Sequence, residues 1–577
     1  MSELKVCSMT LNKPLMKPFW FGCWVVTLTL GWLLPNHHAP WLSFHADAWV
    51  ALAMLLAAAA AIWRSSQSVA WHHITVLVAL LMGLPWVQYA TGLVQSAGVA
   101  WLYSTFLLGL LLALLVGAHW EATNPGRLAD GLFLAVGLAA IVSVGLQLQQ
   151  WLELDGLWLL NLRASVLRPS ANLGQPNQLA TLLLWGVLAA AWGVARGRIN
   201  GWPAVLMAAY LLFGIALTGS RTAWLGVALL VGAVWLWRHL WESKRMPWVV
   251  TGLSVYFGVS VVGVGWLSQT SNAGTDLPAA LEGVTRMSGE IRPLAWAAFI
   301  DAAWQKPWGG YGWGQVALAQ MAVATEHPNL SFVFSYSHNL LLDLVLWCGI
   351  PLGLLVFISL FVWLLQRMRA AKDACDVVLL LFLLVVGNHA LLELPLYFGY
   401  FLLPVGLVMG MLNTRLSAPV LFSVRRSTLI VMWLLAATLL ALIIRDYARV
   451  ESSYRTLRME WDGIETTESV APPDVLLLTQ WHDYIRSARI EPRSSLAEAD
   501  LEGMRYAIVV SPNLLIFYKL ASSLALNQQP DAAGAWLQRM CKVTSAVNCH
   551  RLQKVWASQA SRYPDMAAVV WPSEQAD

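Results

Sequence analysis

The feature that most constrains this chain is the recurrence of long apolar segments through its first three quarters. Each segment is close to the roughly 20 residues that an α-helix needs to cross about 30 Å of hydrocarbon. Only 12% of the 577 residues are charged, whereas 58% are hydrophobic. A soluble globular protein needs a larger polar surface than this. The sequence therefore predicts an all-α, polytopic membrane protein.

Hydropathy predicts about thirteen membrane-spanning helices. The expected spans are residues 19–35, 47–63, 74–90, 99–118, 129–149, 177–195, 202–218, 222–238, 247–267, 338–364, 376–392, 397–412 and 428–444. The first span follows Lys5, Lys13 and Lys17 and lacks a small-residue cleavage site. We therefore interpret it as an uncleaved span and not as a signal peptide.

The positions of Lys and Arg predict the orientation of these spans. With a cytoplasmic N-terminus, most basic residues of the connections fall on the cytoplasmic side, as the positive-inside rule requires. These cytoplasmic groups include Arg196 and Arg198, Arg367 and Arg369, and Arg425 and Arg426. The odd number of spans then places the C-terminal segment on the outer side of the membrane.

This orientation divides the chain into two predicted domains. Residues 1–445 form a transmembrane domain, in which residues 268–337 are a long outer loop with an amphipathic helix from Leu294 to Gln305. Residues 446–577 form an outer helical domain, because this segment is polar and is broken repeatedly by proline.

The C-terminal domain contains a predicted helix–turn–helix pair, Ser511–Ala525 and Pro530–Thr544, which resembles a tetratricopeptide unit. Cys541 and Cys549 also lie here. In an oxidising compartment they are candidates for a disulfide, and two free thiols are the alternative.

Nothing in the chain resembles the basic face of a nucleic-acid-binding protein. Polar residues gather instead in the predicted outer connections, beginning with His37 and His38 in the segment 36–41. Two histidines suggest a metal, but no neighbouring group completes a ligand set. We therefore predict no metal site, and an ordinary interfacial loop is the alternative to a ligand contact.

A second outer connection, 163–177, combines cationic and amide side chains at the entrance of a span. It contains Arg168, Gln175 and Asn177. Guanidinium and amide donors in this position suit the binding of a phosphate or a sugar. Glycine and asparagine are also common in turns, so a solvated turn is the alternative.

Two arginines and one histidine are the remaining candidate functional residues in the predicted outer connections. Arg221 lies in a very short turn, where a cation must snorkel to water or bind an anion. Arg292 lies within the long loop, and His338 lies at the mouth of the span that follows it. A histidine flanked by Ser337 and Asn339 is well placed as a general base, and a simple interfacial histidine is the alternative.

His389 and Glu393 are four residues apart and share one face of a predicted helix. This spacing allows a hydrogen bond that buries both groups within the bundle. The pair is therefore either a structural clamp or a substrate contact.

Together these residues predict a transferase. Cations that hold a diphosphate leaving group, with a base that deprotonates an acceptor hydroxyl, suit glycosyl or phosphoryl transfer. Water-soluble nucleotide sugars are not expected outside the cytoplasm. A lipid-borne donor is therefore the expected substrate.

Several motifs resemble the region shared by O-antigen ligases, O-antigen polymerases and O-linked protein oligosaccharyltransferases. They are Gly-Ser-Arg221-Thr-x-x-Leu-Gly, Arg292-x-x-x-Trp296, Pro307-x-Gly-Gly-Tyr-Gly and Ser-His338-Asn. Three others are similar to the protein-glycosylating, PglL-type branch: Pro35-Asn36-His37-x-x-Pro40-Trp41, Gly174-Gln175-Pro176-Asn177 and Glu393-x-Pro395-x-Tyr397. The resemblance covers residues 160 to 410, and the long C-terminal outer domain is also typical of that branch.

The resemblance implies a GT-C-like bacterial inner-membrane glycosyltransferase with its catalytic site and C-terminal domain in the periplasm. It implies an undecaprenyl-diphosphate-linked oligosaccharide as donor, a Ser or Thr of a pilin-like protein as acceptor, and neither metal nor cofactor. His338 would be the catalytic base. The residues that would bind the diphosphate are Arg221, Arg292 and Arg168. Those that would contact the substrate are Gln175, Asn177, Tyr397, Glu393 and His37.

Three other functions remain open at the level of sequence. An O-antigen ligase would transfer the same donor to lipid A core, and a polymerase would join repeat units. A transporter or flippase would need charged residues at mid-membrane and broken helices in related halves, and the sequence shows neither. The identities of the glycan and of the acceptor and the oligomeric state are not encoded in any motif.

Overall fold

The computed structural model describes residues 16–64, 68–154, 168–271, 277–465 and 471–572. Lys5 and Lys13, which contributed to the predicted orientation, lie outside these ranges. The chain is mostly helical. Its helices in the transmembrane region are α1 (Pro18–Gly31), α2 (Phe44–Arg64), α3 (His73–Ala90), α4 (Ala97–Thr123), α5 (Arg127–Trp151), α6 (Pro176–Ala195), α7 (Gly201–Thr218), α8 (Arg221–Leu236), α9 (Met246–Ser271), α10 (Leu277–Gln305), α11 (Val316–Val323), α12 (Leu340–Cys348), α13 (Ile350–Arg369), α14 (Ala374–Ala390), α15 (Gly399–Arg415) and α16 (Arg426–Trp461).

Short elements connect or follow these helices. Two three-residue strands, β1 (Val69–Trp71) and β2 (Phe422–Val424), form an antiparallel pair. The C-terminal helices are α17 (Thr479–Ala488), α18 (Glu498–Val510), α19 (Leu514–Leu526), α20 (Pro530–Lys542), α21 (Ala546–Ala560) and α22 (Pro564–Ala567). Both strands lie in segments that the distribution of Lys and Arg predicts to be cytoplasmic, and the side of the membrane on which they lie stays a prediction.

Within the described ranges, nine helices are long and apolar enough to cross a membrane. They include α2 to α7, α9, α13 and α16. The helices α1, α8 and α14 are apolar but shorter. The multi-pass character of the chain is therefore supported, whereas the number of thirteen spans stays a prediction.

The predicted tenth span, 338–364, is not one continuous helix. The structure divides it into α12 and α13 at Gly349, whose φ of +81° favours glycine. The amide of Ile350 donates to the carbonyl of Pro307 at 2.7 Å, and the amide of Tyr311 donates to Leu346 O at 2.7 Å. The break is therefore stabilised by the glycine-rich segment that precedes it, which hydropathy does not detect.

The chain forms two compact units. The first comprises residues 1–82, 105–278 and 359–440. Its interior contains a stacked pair, Trp185 and Phe382, with ring centroids 3.8 Å apart. At the predicted cytoplasmic side, Arg415 contacts the carboxylates of Glu121, Asp373 and Asp376. This network neutralises a cation that would otherwise be costly to bury.

The second unit comprises residues 83–104, 279–358 and 441–577. The predicted helix–turn–helix pair corresponds to α19 and α20, and these helices belong to an apolar cluster that includes Tyr484, Phe517 and Leu537. Cys541 and Cys549 are joined by a disulfide. This unit also includes segments from the predicted transmembrane domain, so the predicted domain boundary at residue 445 stays a prediction. The tetratricopeptide-like character of the helices stays a prediction.

Candidate functional site

His338 lies in a short non-helical segment immediately before α12, in the second unit. Its φ of +57° is in the left-handed region, which is uncommon for a residue with a side chain. The next residue, Asn339, caps α12 by accepting from the amides of Leu341 at 3.0 Å and Leu342 at 3.2 Å. The unusual backbone at His338 is thus held by the helix that begins beside it.

The residue before His338 is also fixed. The amide of Ser337 donates to Asp343 Oδ1 at 2.8 Å, and its hydroxyl donates to the carbonyl of Asn339 at 2.9 Å. Ser337 and Asp343 are each 1% exposed. Because backbone strain persists only where the surroundings impose it, these bonds explain how the conformation of His338 is maintained.

Trp296 connects this segment to α10. Its Nε1 donates to the carbonyl of Ser337 at 2.8 Å. Arg292 lies four residues earlier on α10, and residues at this spacing are neighbours on one helix face. The motif Arg292-x-x-x-Trp296 therefore connects a half-buried guanidinium group to the backbone beside His338. Arg292 and His338 belong to the same unit.

An aromatic contact supports the other side of His338. The ring of Phe334 meets the ring of His338 edge to face, with centroids 5.8 Å apart. Gln320 holds Phe334 in turn, because its Oε1 accepts from the amide of Phe334 at 2.7 Å. Gln320 Nε2 donates to the carbonyl of Phe332 at 3.0 Å.

The glycine-rich segment 307–314 packs against the break between α12 and α13. Gly310 has a φ of +67°, and a Cβ there would meet the carbonyl of Leu346. The amide of Trp313 donates to Gln88 Oε1 at 2.9 Å, and the rings of Trp313 and Trp347 stack. These glycines therefore serve a close approach between two parts of the chain.

In the first unit, Asn177 joins α6 to two other elements. Its Nδ2 donates to Glu393 Oε1 at 2.8 Å, and its Oδ1 accepts from the hydroxyl of Ser220 at 2.7 Å. Ser220 also caps α8, accepting from the amide of Ala223. Glu393 is only 3% exposed, so its hydrogen bond to Asn177 matters for stability.

His389 forms a second contact parallel to the first. Its Nδ1 lies 2.8 Å from the hydroxyl of Thr181. Thr181 is four residues after Asn177 on α6, as Glu393 is four residues after His389. Both members of the pair therefore contact α6. The hydrogen bond between the side chains of His389 and Glu393 themselves stays a prediction.

Arg168 and Arg221 both lie near the C-terminal end of α7. Arg168 Nε donates to the carbonyl of Thr218 at 3.1 Å, which satisfies a helix-terminal acceptor and orients the guanidinium group. Arg221 is the first residue of α8 and is exposed. Within the described ranges its side chain makes no ion pair or hydrogen bond. Both arginines belong to the first unit, whereas Arg292 and His338 belong to the second.

His37 lies in the first outer connection. Its Nε2 lies 2.6 Å from the carbonyl of Asn172 and therefore donates to it. Asn172 Nδ2 donates to the carbonyl of Leu33 at 2.7 Å. Burial lowers the pKa of His37, the hydrogen bond to Asn172 raises it, and the charges of His38 and His45 lower it further. The imidazole is therefore mainly neutral near pH 7.

Gln175 and Tyr397 occupy the ends of short elements in the first unit. Gln175 is the N-cap residue of α6, before Pro176, and is half-buried. Tyr397 ends a short 3-10 helix, Pro395–Tyr397, that follows Glu393. In the described part of the chain, no group of three His, Cys, Asp or Glu residues is arranged to hold a metal.

Sequence reasoning did not assign roles to Asn172, Thr181 and Ser220, which hold the candidate residues in place. Ser220 had a detectable signal, because a serine directly before an apolar run is typical of a helix N-cap. Asn172 and Thr181 had none, because their partners are distant in the sequence.

Three family profiles match the chain. The profile described as O-Antigen ligase matches residues 204–358, which contain Arg221, Arg292 and His338. The profile described as Protein glycosylation ligase matches residues 169–192. The profile described as Virulence factor membrane-bound polymerase, C-terminal, matches residues 377–544.

Two curated relatives, both from Acinetobacter baylyi, are similar to the chain. The first, a general O-oligosaccharyltransferase, is 29% identical over 532 residues, which cover 90% of this chain and 91% of the relative. The second, a ComP-specific O-oligosaccharyltransferase, is 28% identical over 311 residues, which cover 54% of this chain and 56% of the relative.

Proposed function

Because the chain belongs to the O-antigen ligase family and resembles its PglL-type oligosaccharyltransferases, we propose that it is a protein O-oligosaccharyltransferase. It transfers a glycan en bloc from undecaprenyl diphosphate to a Ser or Thr of a periplasmic protein such as a pilin. It acts from the inner membrane, with its catalytic site facing the periplasm, and it needs neither metal nor cofactor.

The observation that carries this proposal is the way His338 is held. Its backbone is held in the left-handed region by the Asn339 cap and by the bonds of Ser337. The Trp296 bond to Ser337 connects that segment to the helix that carries Arg292. A base held in this way, on a segment bonded to the helix that carries a cation, suits a reaction in which a proton leaves the acceptor while negative charge grows on the leaving group.

The proposed step is a single displacement. His338 takes the proton from the acceptor hydroxyl, whose oxygen forms a bond to the anomeric carbon of the lipid-linked glycan. The bond between that carbon and the diphosphate oxygen breaks, and its electron pair stays on undecaprenyl diphosphate. The proton then leaves the imidazolium for solvent, which restores the neutral base.

The diphosphate is the proposed ligand of Arg292, Arg221 and Arg168. A planar guanidinium group matches phosphate oxygens with two parallel donors. Arg221 is exposed and free of described partners, which suits a cation that waits for an anion. Arg168 is oriented by its bond to Thr218, and its terminal nitrogens are the groups proposed to reach the donor.

The glycan is the proposed ligand of Gln175, Asn177, Tyr397, Glu393 and His37. Asn177 and Glu393 hold each other, and Asn177 also accepts from Ser220. Amide and carboxylate groups suit sugar hydroxyls, which both donate and accept.

Reconstitution tests the reaction and its acceptor. The purified protein in liposomes receives undecaprenyl-diphosphate-linked oligosaccharide together with a pilin-like protein, and intact-mass spectrometry follows the glycan. We expect one glycan mass to be added to the protein acceptor. Absence of transfer to protein, with glycan appearing on another acceptor, would contradict the proposal.

An O-antigen ligase is the second candidate, because the O-Antigen ligase profile matches residues 204–358. Lipid A core, supplied in a parallel reaction, distinguishes it. The ligase predicts glycan on the lipid alone, whereas our proposal predicts glycan on the protein.

The diphosphate assignment has its own test. Replacing Arg292 by Ala removes charge-assisted hydrogen bonds and should weaken donor binding by about tenfold or more. The exposed Arg551 on α21, replaced in the same way, is the matched control. Equal donor affinity in both variants would rule out the role of Arg292.

A further inference from the structure

A cavity of about 310 Å³ lies in the first unit, on the side that the sequence predicts to be cytoplasmic. His72, His119 and Asn413 are among its lining residues. The volume is at the lower end of the range of small-molecule sites. None of the residues proposed to bind the glycan or the diphosphate lines this cavity.

Three lining residues bury polar atoms that have no hydrogen-bond partner in the described part of the chain. These atoms are His72 Nε2, His119 Nε2 and Asn413 Nδ2. The residues are 4%, 5% and 1% exposed. An unsatisfied buried donor or acceptor is costly, so three in one place indicate that something outside the polypeptide satisfies them.

In two of these residues the other polar atom already has a hydrogen-bond partner. That partner determines whether the unsatisfied atom is a donor or an acceptor. His72 Nδ1 donates to the carbonyl of Pro419 at 3.1 Å, so in the neutral ring Nε2 is an acceptor. Asn413 Oδ1 accepts from Trp363 Nε1 at 2.8 Å, so Nδ2 is left as a donor. The cavity therefore offers both kinds of hydrogen-bonding group.

A buried cation lies beside the cavity. Arg367 is 6% exposed. Its Nη1 donates to the carbonyl of Leu416 at 3.1 Å, directly before the lining residue Ser417. Its charge also lies close enough to His72 to oppose protonation of that ring, alongside the larger effect of burial, so that the pKa of His72 is lowered.

Arg367 differs from two other buried or half-buried arginines on this side, Arg415 and Arg196. Arg415 pairs with three carboxylates, and Arg196 pairs with Asp130 at 3.0 Å. Arg367 has no carboxylate within ion-pair distance among the described residues, and its Nε has no hydrogen-bond partner there. A buried charge without a counter-charge is strongly unfavourable. An anion would supply the counter-charge.

We propose that this cavity binds a phosphate group that carries, or adjoins, a hydroxyl. Arg367 supplies the positive charge, and Asn413 Nδ2 donates to a phosphate oxygen. His72 Nε2 accepts from the hydroxyl. Both the headgroup of a phospholipid such as phosphatidylglycerol and free inorganic phosphate have this chemistry. The guanidinium group disfavours a metal cation at the same position. None of its residues is among those proposed to take part in glycosyl transfer.

Binding is measured on the purified full-length protein after removal of lipid. Native mass spectrometry with phosphatidylglycerol, and with diacylglycerol of the same acyl chains, reports the contribution of the headgroup. Phosphorus NMR with inorganic phosphate reports the free anion. We expect one phosphatidylglycerol per protein to be retained in preference to diacylglycerol, or inorganic phosphate to bind at one site.

Three variants connect binding to the site. Arg367→Gln removes the charge and should weaken binding by about tenfold or more. Asn413→Asp is nearly isosteric, keeps an oxygen acceptor for Trp363 and places negative charge where the donor was, so it should also abolish binding. Arg369→Gln removes the same charge from an exposed position on α13 and should leave binding unchanged.

The outcomes separate the two sources. Phosphatidylglycerol binding that inorganic phosphate does not displace identifies a lipid headgroup, and binding of inorganic phosphate alone identifies the free anion. Water alone is the contrary outcome: if the wild-type protein binds neither probe, the proposal is wrong. It is equally wrong if Asn413→Asp binds as tightly as the wild type does, without any loss relative to the Arg369→Gln control. Asn413→Asp preserves the contact to Trp363 and is therefore expected to fold. It tests the site even if Arg367→Gln does not fold.

Discussion

The candidate residues of the two units are held in different ways. In the first unit, side chains hold one another across helices, as Asn177 does with Glu393 and Ser220. In the second unit, side chains around His338 mainly hold the backbone, as Asn339, Asp343 and Trp296 do. The first arrangement makes a polar group essential for packing as well as for any ligand contact. The second positions His338 largely through its neighbours.

This difference predicts that the two regions respond differently to substitution. Changes to Asn177, Glu393 or Ser220 should lower stability, and activity should fall as a consequence. Changes at His338 should lower activity and leave stability almost unaffected.

The largest expected effect is that of His338→Ala. Loss of a general base should reduce glycan transfer by about 100- to 10,000-fold, with little change in the thermal unfolding temperature. Transfer to a pilin-like acceptor and thermal unfolding are measured on the same preparation. The control is His327→Ala, which removes the imidazole that contacts Asp301 in the same unit. Similar losses in the two variants would show that His338 is not the base.

The next effect tests the first unit. Asn177→Asp replaces the donor that faces Glu393 by a second carboxylate, so the two oxygens repel each other unless they share a proton. We expect a loss of stability of about 2 kcal/mol or more. Glu393→Gln keeps an oxygen acceptor for Asn177 and should cost less. Thermal unfolding in detergent compares both with the wild type, and equal unfolding temperatures would remove the distinction between the units.

A smaller effect is expected where the C-terminal helices contact the chain before His338. Asn329 Nδ2 donates to the carbonyls of Cys541 at 2.7 Å and Thr544 at 3.0 Å, beside the disulfide. Asn329→Asp keeps the oxygen that accepts from Ser331 but loses both donated bonds, at a cost of about 1 kcal/mol each.

The readout for Asn329→Asp is amide hydrogen exchange. Exchange should become faster across residues 329–339, and transfer should fall several-fold with an unchanged KM for the donor. Reduction of the disulfide should change exchange in the same direction. Unchanged exchange in both cases would show that the position of His338 does not depend on this contact.

The smallest effect is a pH dependence in the first unit. Burial lowers the pKa of His37 below its usual value of 6.5. Below pH 6.5 the unfolded chain therefore binds more protons than the folded chain, so stability falls as the pH falls from 6.5 towards the folded pKa. His37→Gln should flatten this part of the stability curve. Thermal unfolding between pH 7.5 and pH 5 measures it, and an identical slope in both proteins would contradict the effect.

Much of the helix content could be predicted from sequence because apolar length is a local property. Hydropathy placed α2 to α7 within a few residues of their observed bounds. The break at Gly349 was missed, because it depends on contacts from Pro307 and Tyr311 that lie about forty residues earlier. Similarly, the composition of the second unit depends on packing between segments that are far apart in the chain.

For the candidate site, the sequence by itself determined which chemical groups are present. A single histidine between Ser337 and Asn339, and arginines in segments predicted to lie outside, predict the kind of reaction. Only the tertiary structure decided which groups hold which. Asn177 meets Glu393, Trp296 meets Ser337, and Arg367 lacks a carboxylate among the described residues. The reason is physical: hydropathy and capping act between neighbours in the chain, whereas the pairing of buried polar groups depends on which helices pack together.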